Sequence, residues 1–252
     1  DQAIALLRSI TQKHADFVAA HVLLGRALVR LGRYDDLITW SESIPDAAHA
    51  DSDFWLTMGD WASQEGDTRT ALAAYGQAAK IGGDRVGPWQ KLASLVAGES
   101  GLGRDVSLIK NRADLLMQLR QDYAEGNTRG IDSPETALAI AKTTQDLGWL
   151  WEAEAWTAVG LTMNAVTGEQ KAKLEQRRGS IIAQLRNQSP WDTEIENVTW
   201  DWLPAISAGD ALAKLGGRRT SIESAETASL GGGTETTGMR LQFANEADQR
   251  GL

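Results

Sequence analysis

A chain of 252 residues with 42% hydrophobic and 23% charged side chains has the material for a sizeable core. Its net charge of −9 argues against nucleic acid as a partner, because a phosphate backbone calls for a basic face. The absence of cysteine removes disulfides, thiolate nucleophiles and cysteine-based zinc sites, and no apolar run has the length of a membrane span.

In chain order, the first segment is "DQAIALLRSITQKHAD", which has neither the charge layout nor the apolar centre of a signal peptide. It reads as the inner part of a longer polypeptide and as a lone amphipathic helix. The next two stretches echo each other. Leu24-Gly25 falls on Met58-Gly59, Gly32 on Gly66, Leu37 on Ala71 and His21 on Trp55, always at an offset of 34 residues. Extended backward, the register places Ala3 under Leu37 and Leu7 under Ser41. Extended forward, it places Trp89 and Leu92 under Trp55 and Met58.

Each unit reads as two helices. Trp55, Met58 and Ala62 make one apolar stripe at helical spacing, and Gly66-Asp67 ends it. Asp67 or Thr68 can cap a second helix that carries Ala71, Leu72, Tyr75, Ala78 and Ala79. Small residues at Gly59, Ala71 and Ala78 let the helices approach, while Trp55 and Tyr75 fill the space beside them. One such pair cannot bury both of its faces, so neighbours must stack.

Trp55, Met58-Gly59, Ala62, Gly66, Ala71, Tyr75 and Ala78 together resemble the signature of the tetratricopeptide repeat, with Gly83 where that family usually has proline. The resemblance implies an all-α fold, a right-handed α-α superhelix. Its expected parts are a partial repeat at 1–17, repeats at 18–51 and 52–85, a degenerate one at 86–125, another at 134–167, and a capping helix at 168–187. Within the degenerate repeat, "GLGRDVS" (101–107) reads as a turn and "AEGNTRGIDSP" as a loop. The first has no Lys-Ser/Thr pair and follows a helix, so it is not a phosphate cradle.

After Pro190 the composition changes. Residues 189–215, with Trp191, Trp200 and Trp202, read as an extended segment docked on the repeats, with a short helix around 208–215. Residues 216–238, rich in Gly, Ser and Thr, read as a flexible linker. The closing "MRLQFANEADQRGL" (239–252) resembles the phrase that opens the FG-GAP/VCBS region of bacterial secreted proteins with an ASPIC/UnbV module, relatives of cartilage acidic protein. That resemblance implies a calcium-binding propeller as the following domain and an exported protein, periplasmic or extracellular. No calcium loop is expected within this chain.

Little here points to bond chemistry. His14, His21 and His49 share no ligand spacing, and His21 stands at an aromatic packing position. No carboxylate pair or hydroxyl is placed beside a base by motif. The chain is therefore expected to be a non-catalytic interaction module without a cofactor or metal. Its partner would be a protein or peptide held in the concave groove that the first helices of this repeat family line. By register the groove positions are Val22, Arg26, Val29 and Arg30; Leu56, Asp60, Ser63 and Gln64; Gln90 and Ser94; and Leu138, Lys142, Gln145 and Asp146. The Lys/Asn set with which some members clamp a terminal carboxylate is absent, since Val22/Arg26 and Leu56/Asp60 occupy those places. The competing expectation is an accessory carbohydrate- or substrate-binding region of a larger enzyme or propeller protein. Some of the ten tryptophans would then form an exposed platform.

Overall fold

The 34-residue echo appears in three dimensions as one recurring turn. The computed structural model describes residues 2–98, 103–129, 133–187 and 200–217. Among the described residues Gly32, Gly66 and Gly148 are the glycines with positive φ, at 63°, 75° and 83°. Each one ends a helix with the same pair of bonds. At the second, Gly66 N–H donates to Ser63 O and Asp67 N–H to Ala62 O. Gly32/Arg33 repeat this on Val29/Leu28, and Gly148/Trp149 on Gln145/Thr144. This is the Schellman arrangement, which needs a residue without a Cβ penalty at the left-handed position.

The chain divides into two compact units, one made of residues 1–49 with the segment from 205 onward, the other of residues 50–204. In the first, α1 (Gln2–Lys13), α2 (Val18–Arg30) and α3 (Tyr34–Ser41) pack in succession. A Cβ at Gly25 would enter the indole of Trp40, so the glycine is what lets α2 and α3 close together. The indole N–H donates to His21 O at 2.8 Å, which fixes the ring in that notch. Asp36 pairs with both Arg8 and Arg33. A further helix over 208–217 buries Ala211 and Leu215. Reciprocal bonds open it, Ser207 Oγ to Asp210 Oδ2 at 2.6 Å and Asp210 N–H to Ser207 Oγ at 3.0 Å.

The second unit stacks α4 (Ser52–Gln64), α5 (Thr68–Ile81), α6 (Val86–Val96), α7 (Gly103–Arg129), α8 (Pro134–Asp146), α9 (Leu150–Thr162) and α10 (Gly168–Leu185). Contacts run between consecutive helices, the pattern of an α-α solenoid. α4 and α5 are antiparallel: Ser52 Oγ reaches Ala78 O at 2.8 Å, and Gly59 faces the ring of Tyr75 so closely that a Cβ would overlap it. Asp67 caps α5 by accepting from Thr70 N–H at 3.0 Å. Thr167 and Gln170 form a capping box on α10.

Two sequence expectations need correction here. Residues 103–107, expected in a turn, open α7, and residues 124–129, expected in a loop, close it. From Arg104 to Tyr123 no Gly or Pro interrupts the chain, and Ile109, Ala113, Leu116 and Leu119 bury one face at helical spacing. Gly126 is buried in the helix, where glycine costs about 1 kcal/mol relative to alanine but does not terminate the chain's path. Among the described residues the chain is helical without strands, as the all-α expectation has it. The linker expected at 216–238 begins later than that, since residues 216–217 close a helix that starts at 208; its remainder, 218–238, lies outside the described residues, as do the following domain expected at 239–252 and residues 189–199 of the extended segment. Residues 200–204 pack on the second unit: Trp200 lies 5.7 Å from Trp89 and beneath Lys80, and Leu203 fills the notch over Gly76.

Candidate functional site

The register positions of the groove fall on α2, α4, α6 and α8, and burial sorts them into two kinds. In the first unit Val22 and Val29 are core residues, 3% and 2% exposed, Arg26 is half-buried, and Arg30 is open to solvent. In the second, Leu56 is 6% exposed and also belongs to the core, whereas Ser63, Gln64, Gln90, Ser94 and Lys142 are exposed.

Asp60 is held from two sides. Its Oδ1 accepts the Tyr75 hydroxyl at 2.7 Å and pairs with Lys91 of α6 at 2.8 Å. Lys91 in turn lies 5.9 Å above the Tyr75 ring. Burial pushes the Tyr75 phenol well above its ordinary pKa, and the adjacent Asp60 carboxylate adds to it. The hydroxyl is thus a fixed donor, and Asp60 is a structural acceptor that presents only part of its carboxylate. Gln90 reaches Met117 on α7, and Ser94 Oγ donates back to Gln90 O at 2.9 Å.

One concave part of this surface lies between α8 and α10. Leu138, Gln145 and Asp146 of α8 face Lys173, Gln176, Arg177, Ser180 and Gln184 of α10 across an open pocket of about 540 Å³. Arg177 Nη1 donates to Gln145 Oε1 at 2.7 Å. Gln145 Nε2 approaches Ser180 Oγ at 3.5 Å, the outer limit of a hydrogen bond, and Gln184 Nε2 donates to the same oxygen at 3.3 Å. Lys173 is tied to Glu169 at 2.6 Å and Arg178 to Glu154 at 2.6 Å, the latter fastening α10 to α9. Lys142 lies beside this pocket in sequence register but not in its wall.

The α10 half of the wall escaped sequence reasoning, which treats that helix only as a polar cap. The repeat itself carried the signal: adding 34 to Lys142 and Asp146 gives Gln176 and Ser180, both lining residues.

Behind this surface, α7, α8 and α9 are joined by a buried polar set. Asp122, 7% exposed, accepts Thr143 Oγ1 and Gln118 Nε2, each at 2.8 Å. Tyr123 donates to Glu152 at 2.8 Å and accepts from the Trp156 indole at 3.2 Å. Burial, with Glu152 beside it, pushes the Tyr123 phenol up to about 12. These groups answer one another, and none of them lines the pocket.

His21 is buried, and neither ring nitrogen has a hydrogen-bond partner. Burial lowers its pKa; the Ala15 carbonyl, near the ring but outside hydrogen-bond geometry, offsets this only in part. Among the described residues no three His, Asp or Glu side chains stand together in a way that could hold a metal ion. No helix of those residues is long and apolar enough to cross a membrane.

Compared with known proteins, residues 1–59 match the family model of the tetratricopeptide repeat. That match covers the lone first helix, the repeat at 18–51 and the start of α4. None of the curated proteins compared with the chain matches it. The tetratricopeptide repeat is generally a non-catalytic module that mediates protein–protein interaction.

Proposed function

We propose that the exposed side chains at the register positions of α4, α6, α8 and α10 form a docking surface for a protein partner that presents an extended segment. The observation that carries this reading is the α8–α10 pocket, which lies between two helices of the stack and in which Asp146 and Ser180, 34 residues apart, face each other. The surface is polar, mixed in charge and held by helices rather than loops, so it is preorganised and loses little freedom on binding. Its task is recognition, without bond making.

Photo-crosslinking in cells that produce the protein tests the assignment. A crosslinker at Gln64, Ser94 or Lys142 should capture one discrete partner, and one at Arg69 or Lys80, on the second helix α5, should not. Equal capture from both sets overturns it.

The carbohydrate-platform alternative draws no support from Trp200, whose ring is engaged by Trp89 and Lys80 within the fold. From the phrase at 239–252 we also infer that this module serves a larger exported protein. Fractionation of the producing cells, with the protein found in the cytoplasm, would refute that.

A further inference from the structure

The α8–α10 pocket has a hydrogen-bond polarity, and it can be read from one end to the other. A guanidinium can only donate. The 2.7 Å bond from Arg177 Nη1 therefore obliges Gln145 to turn its amide oxygen toward the arginine and its NH2 toward Ser180. Gln184 likewise offers its NH2 to Ser180 Oγ. The serine oxygen is thus an acceptor twice over, and among the described residues no acceptor takes its own proton. Other exposed helical hydroxyls here, such as Ser94 and Thr128, return theirs to a carbonyl one turn back. Ser180 does not.

The other end of the chain is equally unsatisfied. Arg177 is half-buried, its Nε is sealed from solvent without a partner, and among the described residues no carboxylate pairs with it. The remaining cations of α10 are offset by carboxylates: Lys173 by Glu169, Arg178 by Glu154, and Lys171 more loosely by Glu175 at 4.0 Å. An acidic protein of net charge −9 has thus left one guanidinium uncompensated in the wall of a pocket. Both ends of the Arg177–Gln145–Ser180 chain ask for an acceptor.

We propose that this pocket binds the carboxylate of an acidic side chain in a partner's extended segment, seated against Arg177 and the Ser180 hydroxyl. A charge-assisted bond to Arg177 supplies most of the affinity, and Ser180 fixes the position of the anion. Asp146, on the facing α8 wall, accepts peptide N–H groups of that segment and disfavours a second acidic residue next to the first. The proposal rests on the docking surface described above and names what one part of it selects.

The probe is the pentapeptide acetyl-Gly-Gly-Glu-Gly-Gly-amide, titrated into the full chain while the backbone amide resonances of α8 and α10 are followed. Peptides with Gln or Lys in place of Glu are the controls. Saturable shifts confined to those helices are expected for the Glu peptide, weakening as salt rises. Arg177→Gln should weaken that binding about tenfold or more, and Ser180→Ala by several-fold. Ser180→Ala leaves the Arg177–Gln145 bond in place, so it separates loss of an anion site from loss of packing. Unchanged melting temperatures check that both variants are folded.

A Lys peptide that binds as well as the Glu peptide would overturn the proposal, as would affinity indifferent to both substitutions. If crosslinking at Gln64 and Ser94 still captures a partner in that case, the docking surface stands and only this selectivity fails. If the Glu peptide binds as expected while crosslinking is equal on both sets, the pocket stands without the wider surface.

Discussion

His21 shows how a register position can outlast the residue type it favours. At Trp55 and Trp89 the same place holds an indole, and at residue 21 it holds an imidazole buried without partners for its ring nitrogens. Because burial lowers its pKa below 6.5, the folded state resists a proton that the unfolded chain accepts. The stabilisation from a neutral His21 is present above pH 6.5 and is lost as pH falls through the lowered folded value. Urea unfolding followed by a probe in the first unit should show its midpoint falling between about pH 7 and about pH 5. In His21→Leu the part of that fall due to this residue should vanish. An identical pH profile in the variant would remove His21 as its source.

At the scale of elements, the helices whose ends carry a chemical marker are the ones legible in sequence. Gly32, Gly66 and Gly148 announce their turns because only glycine takes the left-handed position at little cost. α7 departs from the sequence expectation at both ends, since Gly103 and Gly126 look like the same marker but the first opens the helix and the second stands inside it. The α10 wall was missed for another reason: Gln176, Ser180 and Gln184 are polar, and polar residues leave no hydrophobic period. That residues 200–204 dock is legible in their tryptophans, but which helix receives them is not, because a contact between Leu203 and Gly76 has no register to announce it. That contact is open to a double-mutant test. Gly76→Ala should destabilise by ~1–3 kcal/mol through overpacking against Leu203. Leu203→Ala should relieve most of that cost, giving a coupling of about 1 kcal/mol or more in chemical denaturation. Additive effects would mean that α5 itself resists the methyl group.

Two compact units and helices that touch mainly their neighbours in sequence make the molecule's stability a sum of local parts. Leu28, 1% exposed in the first unit, offers a clean perturbation. Leu28→Ala should cost about 2–5 kcal/mol and should raise amide hydrogen exchange in α2 and α3. Exchange in α8, α9 and α10 should stay close to its original rate. A uniform loss of protection over the whole chain would show one cooperative block instead. The Asp122–Thr143 and Tyr123–Glu152–Trp156 contacts join three consecutive helices, so α7 to α9 should open together rather than one at a time.

The segment from Trp200 to Leu203 also bears on how the chain folds. The helix pairs can form as they emerge, each closing over a short span, at rates set by local contacts. Leu203 must then return to α5 across all the intervening helices, and the helix at 208–217 belongs to the unit built on residues 1–49. Those closures carry the entropy of long loops and cannot begin until the last helix is made. During synthesis the outer side of Gly76 therefore stays bare long after α5 has formed. Its covering is a late, separate event, and a chain stopped before Trp200 would keep its helices with that notch unfilled.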